Sequence, residues 1–200
     1  MLETRNYRFV RNILWPFKSS VEISDAGINN KGKMTRWEDI SEFNHHIQVI
    51  NGSPSYQINY RNAEGKNTMI NFVVPITAKK AKKQLCKELY AHLAQGFHEK
   101  VTEPQSDQVL ADIDAGKEIT IAKCKMTKDG IEIRKGKIKK TSVYVAWNDL
   151  QIDNKVDRGL GIGCLSASNP SNKMIYHYHE VKNGRILARV IEKRVGVFMK

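Results

Sequence analysis

Apolar and polar residues alternate along much of the chain with the two-residue period of half-buried strands. VEISDAGI (21–28) and CKMTKDGI (124–131) both alternate and then meet an Asp/Gly cluster, the chemistry of a turn or strand bend. Set in register at Gly27 and Gly130, the two halves stay in step. Each passes through a basic stretch, KGKMTR or RKGKIKKTSV, into Trp37-Glu38-Asp39-Ile40 or Trp147-Asn148-Asp149-Leu150. The second copy is seven residues longer between Gly and Trp, a difference a hairpin tip absorbs without altering the strands it joins.

Further strands are predicted at 47–50, 56–60 and 68–74 in the first copy, with turns at 51–54 and 63–66. The second copy repeats the order at 150–152, 160–165 and 173–178, with a turn at 169–172. Both copies close with a helix. From Thr77 as N-cap, Ala81, Leu85, Leu89, Leu93 and Phe97 recur every four residues, with Cys86 and Tyr90 alongside. Asn183 caps the second helix, where Ile186, Leu187, Val190, Ile191 and Val195 line one side. Arg185, Arg189, Lys193 and Arg194 are expected largely to face away, and Gly196 is a natural stop. Polar residues and Pro104 mark a linker over 104–117, with a short helical turn at 109–113, so the predicted domains are 1–103 and 118–200.

Hairpin-linked antiparallel strands followed by one helix give an α+β fold class. Ser24-Asp25-Ala26-Gly27-Ile28 and Thr127-Lys128-Asp129-Gly130-Ile131, each followed by a basic hairpin and a Trp-x-Asp-[Ile/Leu] strand end, resemble the pleckstrin-homology-like (PH-like) superfold, in particular its bacterial PH-like and GRAM-like branch. The resemblance implies two PH-like units in tandem, each a bent antiparallel sheet or partly open barrel with a C-terminal capping helix. Within such a unit, Trp-x-Asp reads as a corner. The Trp brings a large apolar surface whose N–H needs a partner, and the Asp faces the same side or caps a turn.

Composition narrows the function classes. The chain is 40% apolar, enough for a core, and its longest apolar runs are far short of the roughly 20 residues that span a bilayer. MLETRNYRFVRNILWPFK lacks the apolar region and cleavage site of a secretory signal, so the expected location is the cytoplasm, with peripheral attachment at a membrane as the alternative if the partner is lipid. Cys86, Cys124 and Cys164 are odd in number and widely spaced, which fits reduced thiols. Lys and Arg outnumber Asp and Glu by 33 to 21, a net charge of +12 that favours anionic partners.

The densest cations outside the helices are Arg134, Lys135, Lys137, Lys139 and Lys140, which a hairpin tip would gather into an anionic-ligand site. The resemblance supports that assignment, because phosphoinositide-binding PH domains use a basic early hairpin. A lysine-rich hairpin also protects a sheet edge and keeps a protein soluble. Lys31, Lys33 and Arg36 are the sparser equivalents in the first copy. Lys79, Lys80, Lys82 and Lys83 oppose the dipole at the start of their helix. YRFVRNILWPFK mixes aromatics with arginines, as an interfacial segment does, although packing on the first domain is the simpler account. His177 and His179 share a strand face and His45-His46 are adjacent, but neither pair has the further ligands that a metal needs. Cys164 and the glycines at 159, 161 and 163 lack the companions of a nucleophile or a phosphate loop. No catalytic residue, metal or cofactor is expected. The leading expectation is a non-catalytic binding or scaffolding module for an acidic protein surface or anionic lipid. Nucleic-acid binding, with Tyr144, Trp147, Tyr176 and Tyr178 as stacking groups, ranks second, and an enzyme third.

Overall fold

Alternation in the first half resolves into two antiparallel meanders. The computed structural model describes residues 1–10, 18–50, 52–74, 77–135, 141–153, 155–156 and 161–196. The chain is α+β and divides into two compact units, Met1–Val101 and Thr102–Lys200.

In unit 1, β1 (Arg5–Val10), β2 (Lys18–Ser24), β3 (Gly27–Asn30) and β4 (Lys33–Arg36) form one sheet in sequence order. A single 3-10 turn, Trp37–Asp39, leads into a second sheet of β5 (Ile40–Ile50), β6 (Ser53–Asn62) and β7 (Asn67–Val73). The helix α1 (Lys80–Phe97) follows. β1 falls in the aromatic-arginine stretch that reads ambiguously in sequence; its Tyr7 and Phe9 are buried. The remaining residues of that stretch, 11–17, lie outside the described residues.

Helix α1 closes the core with Cys86, Leu89, Leu93 and Phe97, whereas Ala81, at the end of the predicted stripe, is exposed. Its N-cap is Lys79 rather than Thr77, and no side chain caps it. Phe97 takes Trp37 edge-on at 5.4 Å and stacks on Phe43 at 4.9 Å. Two Tyr-His bonds tie α1 to both sheets: Tyr7 of β1 to His92 at 3.1 Å, and His45 of β5 to Tyr90 at 3.0 Å.

Unit 2 repeats the order. Strands β8 (Ile119–Ile121), β9 (Cys124–Met126), β10 (Gly130–Lys135) and β11 (Thr141–Ala146) form the first sheet. The 3-10 turn Trp147–Asp149 leads to β12 (Leu150–Ile152), β13 (Gly161–Ser166) and β14 (Lys173–His177). The closing helix α3 (Gly184–Val195) stops at Gly196, as its sequence predicts, and Asn183 precedes it without a side-chain cap bond.

The repeated corner is the same device in both units. The Trp37 indole N–H donates to the Ser24 carbonyl at 2.8 Å, and the Trp147 N–H to the Thr127 carbonyl at 3.0 Å. Both acceptors stand three residues before the shared glycine. Gly27 pairs with Arg36 and Gly130 with Ala146, each the residue just before its tryptophan. A Cβ at Gly27 would lie 2.1 Å from the Thr35 carbonyl oxygen, and one at Gly130 would lie 2.3 Å from that of Val145. Only glycine lets the strands approach this closely. The aspartates then diverge. Asp39 pairs with Arg36 at 3.0 Å, while the Asp149 carboxylate accepts from Ser166 Oγ at 2.5 Å and from the Ser168 N–H at 2.8 Å, capping the end of β13.

The stretch 104–117, expected as a linker, is mostly helix: α2 (Glu103–Asp114) packs on α3. Pro104 occupies the first turn, where a missing N–H costs nothing. Ile113 and Ser106 are buried. The basic residues of α3 correspondingly do not face away. Arg189 meets Glu103 at 2.6 Å, Lys193 meets Glu103 at 2.9 Å and Asp107 at 2.6 Å, and Arg194 pairs with Asp114. Arg185 lies over the Tyr178 ring at 4.0 Å.

Different pH windows for the two units follow from these contacts, both lost on acidification. Burial, reinforced by nearby Arg5, lowers the His92 pKa, so the neutral imidazole is the folded form. Its stabilisation is complete above about pH 6.5 and is lost as pH falls through the lowered folded value. Burial raises the Glu103 carboxyl, but the bonds and charges of Lys193 and Arg189 outweigh it and leave the pKa below the ordinary value. That stabilisation is present above about pH 4.3 and disappears only below it. Hydrogen-exchange protection on α1 should therefore weaken between neutral pH and pH 5, before protection on α3 does. His92→Gln should remove the early step. A step of unchanged size in that variant would refute the assignment.

Candidate functional site

The expected anion site falls largely outside the described residues. Arg134 and Lys135 end β10, paired with Ser142 and Thr141 of β11. Their side chains, and Lys137, Lys139 and Lys140 altogether, are not among the described residues.

The equivalent hairpin of unit 1 borders a cleft that the sequence did not reveal. Lys31 and Gly32, both at positive φ (56° and 80°), form the two-residue turn between Asn30 and Lys33. Such a turn matches the right-handed strand twist and needs positive φ at both positions. Facing it is the β6–β7 turn, closed by the Gly65 N–H donating to the Asn62 carbonyl at 2.9 Å and the Lys66 N–H to Asn62 Oδ1 at 2.8 Å. Between the two hairpins lies a cleft of about 510 Å³ lined by Asn30, Lys31, Lys33, Thr35, Tyr60, Asn62, Lys66 and Thr68 among others.

Three lysines are among its lining residues, Lys31 and Lys33 from one hairpin and Lys66 from the other. None of the three has a carboxylate within 4.0 Å among the described residues. Of the two acids in the lining, Asp39 is held by Arg36, and Glu64 is exposed. Tyr60 is only 3% exposed, yet its hydroxyl oxygen is buried with no hydrogen-bond partner. Burial raises its pKa, and the nearby Thr35 and Thr68 hydroxyls pull it back in part without reaching hydrogen-bond geometry. The phenol is thus a protonated donor at neutral pH. An unpaired buried hydroxyl costs about 1–3 kcal/mol. Sequence reading assigned Ala63 to Lys66 to a turn and Tyr60 to a strand, and no spacing rule joins Tyr60 or Lys66 to Lys31.

The other candidates resolve into structure. Cys164 is buried, and burial pushes its thiol far above the ordinary range, which suits a core side chain and disables a nucleophile. His177 and His179 stack at 5.6 Å, and no group of three metal-ligating side chains occurs among the described residues. Gly161 and Gly163 lie within β13, paired with His177 and Ile175, so they form no phosphate loop. Of the four aromatics considered for base stacking, Tyr178 is buried, Trp147 and Tyr176 are half-buried, and Tyr144 alone is exposed. Lys79, Lys80, Lys82 and Lys83 crowd the start of α1 without an acidic residue in its first turn. Compared with protein-family models, with curated proteins and with solved structures, the chain matches none.

Proposed function

We propose that the chain is a tandem of two PH-like domains acting as a non-catalytic docking module, which attaches through its basic faces to an acidic protein surface or to anionic lipid. Supporting the tandem reading is the common order of both units: four strands, a Trp corner, three strands and a closing helix. The docking reading rests on the uneven pairing of charge. The cations of α3 are matched by Glu103, Asp107 and Asp114 of α2, whereas the lysines of the unit 1 cleft and of the α1 start have no carboxylate within reach among the described residues. A +12 chain that neutralises one basic face internally and leaves others open keeps those others for an external anion.

Nucleic acid is the weaker alternative, since three of the four candidate stacking aromatics are wholly or partly packed away. Co-sedimentation with anionic liposomes at physiological salt tests the lipid form of the proposal. Wild type should pellet, and Lys135→Glu/Lys137→Glu/Lys139→Glu/Lys140→Glu should pellet severalfold less, since each lysine near an anionic surface contributes about 1 kcal/mol. Pelleting that is absent in wild type, or undiminished in the variant, removes the lipid form. Capture of an acidic partner that the same variant fails to bind would support the protein form.

A further inference from the structure

We propose that helix α2 is a displaceable cover over a basic face of α3, and that the partner this face takes when uncovered is an acidic helix of another protein, with carboxylates spaced as α2 spaces its own. The docking reading concerns the cations left open, so this inference stands or falls without it.

Both helices belong to unit 2. Glu103, Asp107 and Asp114 are four and seven residues apart, which at 3.6 residues per turn puts all three on one face of α2. That face meets Arg189, Lys193 and Arg194 one acid for one base, and Lys193 Nζ also donates to Ser106 Oγ at 3.0 Å. Within α3 itself only Arg189 finds a carboxylate, Glu192 at 3.4 Å, among the described residues.

The three helices differ in how they are held. α1 buries Cys86, Leu89, Leu93 and Phe97, and α3 buries Ile186, Leu187, Val190 and Ile191. α2 buries Ser106 and Ile113 alone, with Val109 and Leu110 half-buried. Its grip is therefore mostly polar, and two of its three acids stand largely in water, Asp107 at 67% and Asp114 at 58% side-chain exposure. Ion pairs of that kind are individually weak and are screened by salt. The cations beneath them are covered instead, Arg189 at 19%, Lys193 at 16% and Arg194 at 22%. Lifting α2 leaves α3 seated by its apolar side and turns these three groups to solvent. A second acidic helix answers them in the same register, because its carboxylates recur along one face. An extended strand of the same charge does not reproduce that spacing.

Two measurements on the full chain test this. Hydrogen exchange of the wild type is followed at low salt and in about 1 M sodium chloride, where the screening length falls to about 3 Å. Protection on α2 should drop by about tenfold while that on α1 and α3 holds. Retained protection on α2, or its loss together with α3, overturns the inference. The second measurement uses a fluorescent synthetic peptide of residues 102–116 and the variant Glu103→Gln/Asp107→Asn/Asp114→Asn, whose own α2 grips less. The peptide should bind this variant saturably and about tenfold more tightly than it binds wild type. Adding Arg189→Gln/Lys193→Gln should abolish the binding. Binding that survives this addition belongs to the open lysines and overturns the assignment to α3. A scrambled peptide of the same composition should not bind, and equal binding by it overturns the helical partner. So does loss of α3 protection in the triple variant, because α2 would then be part of the fold and not a cover over it.

Discussion

Trp37→Ala is expected to destabilise unit 1 by about 3–5 kcal/mol, the cost of emptying a large aromatic site in a packed core. Trp147→Ala should cost unit 2 clearly less, about 1–3 kcal/mol, although both substitutions remove the same indole bond to a backbone carbonyl. The difference lies in surroundings. Trp37 is only 4% exposed and is wedged against Phe97 and the backbone of α1. Trp147 is half-buried, with the Arg194 guanidinium 5.8 Å from its ring. Urea unfolding combined with unit-resolved hydrogen exchange separates the two losses. Equal costs would mean that the hydrogen bond, and not burial, is what the motif contributes.

Gly96→Ala is expected to destabilise unit 1 by about 1–3 kcal/mol, against the usual direction for this substitution. In an open helix the change stabilises by about 1 kcal/mol, because alanine loses less backbone freedom on folding. Here the new Cβ would fall 2.6 Å from Trp37 Cη2 and 2.7 Å from Cζ2. These atoms belong to a rigid ring already enclosed by Phe97 and cannot swing aside. In a Trp37→Phe background the obstructing atoms are gone, and Gly96→Ala should become neutral or stabilising. This reversal of sign, read as a coupling in a double-mutant cycle, distinguishes steric conflict from a general intolerance of the helix. A destabilisation of the same size in both backgrounds would remove the explanation.

Much of the fold could be read from spacing, and what was missed has a physical reason. Strand period, turn chemistry and the Gly/Trp register each depend on residues close in sequence, so both meanders and both closing helices were legible. β1 was obscured because its arginines alternate with aromatics as an amphipathic segment's do, and only pairing with β2 distinguishes the two. Helix α2 reads as a linker in sequence because Pro104 and a polar composition suit a linker as well as a helix start. What marks it as a packed helix is the fit of Glu103, Asp107 and Asp114 to cations some 80 residues later in α3. The cleft was less legible still. Tyr60 earns its meaning from an absent partner, which no sequence pattern records, and Lys66 meets Lys31 across two hairpins whose facing depends on how two sheets pack.

The corner also separates what may change from what may not. From Gly27 to Asn30 the first hairpin pairs four residues on each side around a two-residue turn, while the second pairs six on each side with five residues between them. The seven extra residues of the second copy thus divide into two on each strand and three in the sequence between them. Glycine still faces the residue before tryptophan, so the addition leaves the corner untouched. At roughly 3.3 Å per residue, two more rungs lengthen the paired strands by about 7 Å. The hairpin is therefore an arm of adjustable length on a fixed shoulder, and a shift of reach or of ligand between copies requires no redesign of the core beneath it.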